Sequence, residues 1–169
     1  MDQIVLQERI SPLPRLISPL AVAGMLTLAL LNARPAQAEA PQGQPQKLPT
    51  VQLSAGMHLI RAEVAQTPQE QATGLMWRTE MGANDGMLFI FPKAGVQCFW
   101  MKNTLIPLSI AFLNEQGEIV NIDEMKPRSE ASHCSAQPVR HVLEMNSGWF
   151  QKRGLKSGSK LKGPPFAPR

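Results

Sequence analysis

The sequence predicts a mainly β fold: a compact antiparallel β-barrel or sandwich with one or two short helices packed on it. Across residues 50–162 the apolar side chains recur mostly with period two, the spacing of strands with a buried face. Only two segments carry helix-start chemistry. No run of about 20 apolar residues interrupts this stretch, as a membrane span would require.

Residues 58–64 alternate, with Ile60, Ala62 and Val64 on one face and Leu59, Arg61 and Glu63 on the other, which predicts a half-buried strand. In Thr67-Pro68-Gln69-Glu70 a capping hydroxyl, a proline at the first helical position and a glutamate placed to reach back predict a helix over residues 68–77. Its Ala72, Leu75 and Met76 share one side and are expected to face the core. Residues 86–91 form a continuous apolar run closed by Pro92, as in a strand covered on both faces. Residues 97–101 and 107–113 are further strands, and Asn114-Glu115-Gln116-Gly117 joins the second to residues 118–122 as a hairpin, with Gly117 supplying positive φ. Residues 139–145 make one more strand, and a shorter helix begins after Asn146 or Ser147 and stops near Gly154. Phe89, Phe91, Phe99 and Trp100 lie close together in sequence, so the core is expected around their two strands.

The flanks read differently. Arg9 and Arg15 precede the apolar residues 17–31, and Ala36-Gln37-Ala38 offers the small side chains a signal peptidase accepts, so residues 1–38 are expected to be a signal peptide cleaved after Ala38. Asp2, Glu8 and Pro19 depart from that pattern, and an uncleaved anchor is the alternative. Residues 39–49, rich in Pro and Gln, read as an extended linker, and residues 163–169, with Pro164, Pro165 and Pro168, as a flexible tail. The domain is therefore residues 50–162. It is expected to be exported, periplasmic or secreted, with no stable membrane span once the leader is gone.

The chain has 17 Lys plus Arg against 13 Asp plus Glu, and the excess gathers at the end, where Lys152, Arg153, Lys156, Lys160, Lys162 and Arg169 meet no acid. In an exported protein this reads as a solubilising segment, and no nucleic-acid partner is expected. Cys98 and Cys134 both fall in the exported part, where an oxidising compartment predicts a disulfide between them. The competing arrangement is a soft metal site from Cys98, Met101, His133 and Cys134, but adjacent His133 and Cys134 do not match common zinc spacings. The nine Met are better core filler than copper ligands, and neither a metal nor another cofactor is expected.

Several motifs occur in order: Gly74-Leu75-Met76-Trp77-Arg78; Gly86-Met87-Leu88-Phe89-Ile90-Phe91; Phe99-Trp100-Met101-Lys102-Asn103-Thr104, then Ile106-Pro107-Leu108; and Val142-Leu143-Glu144-Met145 with Gly148. Together they closely resemble the DUF192 family, also called UPF0127, over residues 59–161. The resemblance implies a mainly β fold and an often exported prokaryotic domain, and it transfers no reaction or catalytic residue. Where the family pattern has an Asp after Pro107-Leu108, this chain has Ser109.

Arg78 follows the capped helix, and Trp100, Lys102 and Asn103 sit where a strand yields to a turn. These four are the candidate ligand-binding residues: an arginine, a lysine and an amide offer donors to an anionic or carbohydrate-like ligand, with Trp100 as an apolar platform. The purely structural alternative pairs Arg78 with Glu144 or a carbonyl, spends Asn103 on turn backbone and buries Trp100. Ser109 and His133 form an imaginable nucleophile and base, without an elbow motif or orienting acid. Two functions follow. One is a non-catalytic binding or accessory module of the cell envelope, recognising a small ligand or an envelope partner. The other is an enzyme of unknown type acting on an envelope or extracellular substrate, with unknown catalytic residues. The lack of an assembled metal, phosphate or nucleophile motif favours the first.

Overall fold

The structure is a computed structural model and describes residues 43–166. The expected signal peptide and its cleavage point lie outside the described residues, as do residues 167–169. Strand β1 (Thr50–Ala55) pairs antiparallel with β2 (His58–Ala65) across a Gly56-Met57 turn in which Gly56 takes φ 60°. β1 precedes every strand expected from the sequence. Its alternation is present, with Leu53 and Ala55 buried and Gln52 exposed, but it is short and hemmed in by Pro49 and Gly56.

Helix α1 (Pro68–Thr73) forms at its predicted start because the capping box is complete: Glu70 N–H donates to Thr67 Oγ1 at 3.2 Å, and Thr67 N–H to Glu70 Oε2 at 2.9 Å. It ends four residues short of Trp77, because Gly74 (φ 49°) and Trp77 (φ 62°) leave the right-handed region. Leu75 is buried as expected, whereas Ala72 is exposed. α1 carries the chain over to β3 (Asp85–Gly95), which lies parallel to β2; the other pairings in the sheets are antiparallel.

The remaining strands are β4 (Cys98–Phe99), β5 (Leu108–Leu113), β6 (Ile119–Met125), β7 (His133–Cys134), β8 (Val139–Asn146) and β9 (Leu161–Lys162). Seven form one sheet in the order β6-β5-β8-β3-β2-β1-β9, and β4 with β7 makes a separate two-stranded ribbon. The expected strand over residues 97–101 is thus only two residues long. The β5–β6 hairpin turns at Gly117 (φ 77°), and the Asn114 side chain accepts from the N–H groups of Gln116 and Glu118. The expected second helix is a single 3-10 turn, Gln151–Arg153, ended by left-handed Gly154.

The sheet curls until its edges meet. Glu118 bridges to Lys160, and Ile119 N–H donates to Ser159 O at 2.9 Å and Leu161 N–H to Gly117 O at 2.8 Å, giving a half-barrel. Ile119 and Leu161 from the two edge strands therefore share one core with Leu53, Leu88, Leu143, Met145, Trp149 and Phe150. The other face carries a second core of Met87, Phe89, Ile110, Phe112 and Val142, covered by Leu75 and Met101. The apolar run of β3 is explained by this double burial, with Leu88 in one core and Met87 and Phe89 in the other. β3 and β8 approach so closely at Gly86 that a Cβ there would collide with the Glu144 carbonyl and the Met145 sulfur.

Both flanks hold to the domain where they are described. Val64 N–H donates to Pro49 O at 2.9 Å, and the Gln46 amide reaches the carbonyls of Glu70 and Gly74, so the end of the expected linker is packed. Pro164–Phe166 makes a 3-10 turn that sets the Phe166 ring 5.0 Å from His141, so this part of the expected tail is packed too. Among the described residues no helix is long and apolar enough to cross a membrane.

Candidate functional site

The β4–β7 ribbon places Cys98 directly opposite Cys134, and the two are joined by a disulfide with S–S 2.10 Å. Their sulfurs are therefore spent on each other rather than on a metal. The ribbon also holds Phe99 over the outer face of the sheet, edge-on to Phe89 at 4.8 Å, Phe112 at 6.2 Å and Phe91 at 6.3 Å.

Between this arm and the segment following α1 lies a cavity of about 230 Å³. Phe89, Phe91, Phe99 and Trp100 line it together with Leu75, Met76, Thr104 and Glu144. Glu144 comes from the middle of β8, opposite Met87 of β3 and Ile110 of β5, and its residue is only 4% exposed. Among the described residues nothing hydrogen-bonds or ion-pairs with its carboxyl. Burial alone pushes its pKa from the usual 4.5 to about 8, so the group is neutral at pH 7. The buried Thr104 lines the same wall. Gln71, Thr73 and Gln97 also line the cavity, so aromatic walls and convergent polar groups meet in one place, as small-molecule sites combine them.

The four residues expected at one rim are divided. Trp100 lines the cavity and is 49% exposed, and Lys102 Nζ lies 5.1 Å over its ring. Asn103 adopts φ 61° in the following turn, where its carbonyl accepts from Trp77 N–H at 2.8 Å. Arg78 lies apart from the cavity, in a shallower depression of about 760 Å³ shared with Arg61 and Asp85. There it pairs with Glu63 at 2.7 Å and donates to Gln46 O at 2.8 Å, not to Glu144.

Ser109 and His133 do not form a nucleophile and base. The Ser109 hydroxyl donates to Glu124 at 2.5 Å and accepts from Gly148 N–H at 2.8 Å, while His133 Nδ1 meets Asp123 at 2.5 Å. Asp123 and Glu124 are successive on β6 and so point to opposite faces. The hydrogen bond from His133 holds the Asp123 carboxyl below its ordinary range. His141 is buried beside Asn114 O, and desolvation lowers its pKa.

Glu144 was expected from the sequence as a residue of a family motif and as an alternative partner for Arg78, not as a site residue. Its signal was the acid itself, set among apolar neighbours in Val142-Leu143-Glu144-Met145 on a strand with both faces covered. No curated protein matches the chain. A solved structure from Novosphingobium aromaticivorans DSM 12444, a protein of unknown function, is 38% identical with TM-score 0.67, covering 74% of this chain and 94% of that one. Another, from Sinorhizobium meliloti 1021 and carrying a provisional transcription-regulator name, is 36% identical with TM-score 0.65, covering 69% of this chain and 93% of that one. The family model for DUF192, described as an uncharacterized ACR, matches residues 50–163. That span holds the whole curled sheet, the disulfide arm and the Glu144 cavity, and through it the chain belongs to the DUF192 family.

Proposed function

We propose that this protein is an exported, non-catalytic ligand-binding module of the cell envelope, periplasmic or secreted, and that the Glu144 cavity is its binding site. The observation that carries the reading is the cavity itself: aromatic walls, partial opening at Trp100, and a buried carboxyl with no described partner. A volume of about 230 Å³ suits a ligand smaller than a drug-sized molecule. Export is supported by the leader pattern in residues 1–38, and the Cys98–Cys134 disulfide suits an oxidising compartment.

An enzymatic reading finds support in Glu144, since a carboxyl kept protonated at neutral pH is what a general acid needs. Against it, no second acid stands among the described residues lining the cavity. The binding reading is tested by isolating the mature protein from its native compartment and examining it by native mass spectrometry. The expected result is a chain beginning at Glu39 that carries a small molecule released on denaturation, with less carried by a Trp100→Ala variant. A full-length cytoplasmic chain would overturn the export half, and undiminished retention by Trp100→Ala would move the site elsewhere.

A further inference from the structure

We propose that the cavity is built for a small organic ammonium ion, with Glu144 as its counter-ion and the rings of Phe89, Phe91, Phe99 and Trp100 as its wall. This rests on the cavity being the binding site, as argued above, and adds the class of ligand. Among the described residues Glu144 is the only ionisable side chain lining the cavity, apart from the disulfide-bonded Cys98, and no base there neutralises it. The groups facing it are uncharged: Met87 on β3, Ile110 on β5, and Thr104 and Met76 in the wall. Lys102 is the nearby cation and lies over the Trp100 ring.

Aromatic rings attract a cation through the negative potential of their faces, and most strongly where water is excluded. A lone cation withdrawn from water is nevertheless costly without an opposite charge. Glu144 can supply that charge. It holds its proton while the cavity is empty and releases it to solvent as the ammonium enters, so the pair is neutral before and after, and one proton appears in the buffer. An anionic ligand would gain nothing from the rings and would find no cation inside.

Choline and its uncharged isostere 3,3-dimethyl-1-butanol separate the charge from the shape. Both are titrated calorimetrically into the full chain, disulfide intact, at pH 7 in two buffers of different ionisation enthalpy. Choline is expected to bind at least about tenfold more tightly than the isostere, with release of close to one proton. Glu144→Gln should bind the two alike, and Trp100→Leu should weaken choline while leaving the isostere nearly unchanged. Equal binding of both probes by the unsubstituted protein would overturn the ammonium inference and leave the cavity as a binding site for neutral ligands. Binding of neither probe would overturn the ammonium inference, and retention of a native small molecule insensitive to Trp100→Ala would overturn the cavity as well. Should Glu144→Gln fail to fold, the Trp100→Leu comparison decides alone.

Discussion

At single residues the chemistry is concentrated in Glu144, whose burial ties the stability of the fold to pH. Its pKa is raised from 4.5 to about 8 in the folded state, so between these values the folded chain holds a proton that the unfolded chain has lost. The stability it confers is therefore full below about pH 4.5, falls as pH rises toward 8 and is level beyond, with a total loss of a few kcal/mol. Glu144→Gln removes this dependence. Melting curves from pH 4 to 9 should show the variant about 5 °C or more above the unsubstituted protein at pH 8, the gap closing toward pH 4. Parallel curves would refute a buried, unpaired acid. This residue was legible in sequence as an acid in an apolar strand, but its cavity was not, because the aromatic wall comes from β3 and from the disulfide arm. Arg78 shows the converse: its pairing with a side chain or carbonyl was readable in kind, while its partner, Glu63, depended on how β2 lies beside the turn after α1.

Among the elements, the β4–β7 ribbon pairs only two residues a side, and its disulfide acts beside the Phe99 ring contacts and the His133–Asp123 pair. A disulfide spanning 36 residues stabilises by about 3 to 4 kcal/mol in the chain-entropy account. Replacing both Cys98 and Cys134 by Ser should lower the unfolding free energy in urea by that amount, and any ligand retention should fall with it, since Phe99 and Trp100 ride on the arm. Unchanged stability together with unchanged retention would mean that the arm is held by its aromatic contacts alone. The elements read best from sequence are those with local causes: the α1 start through its capping box, the β5–β6 turn through Gly117, and the 3-10 turn end at Gly154. Those read worst depend on distant partners. β1 is a strand because β2 and β9 flank it, and α1 stops early because the chain must turn at Gly74 and Trp77 toward β3.

For the whole molecule, one sheet serves two cores, and the cores should respond independently. Ile60 lies in the enclosed core and Ile110 in the outer one, on strands separated by β3 and β8 in the sheet order. Each Ile→Val change is expected to cost about 1 kcal/mol, and the double variant should match their sum within about 0.5 kcal/mol in urea denaturation. A large coupling would show that the sheet transmits strain between its faces.

Taken by itself, the sequence determined a mainly β domain, most of its strands, the helix start, the cysteine pair and the family resemblance, because period two, caps and turn glycines act over a few residues. Only the tertiary structure decided the parallel β2–β3 pair, the closing of the sheet edges at Glu118 and Lys160, and the position of Arg78 away from Trp100. It also decided the cavity, for a pocket exists only where the disulfide arm, the turn after α1 and the middle of β8 meet, and no local pattern encodes that meeting.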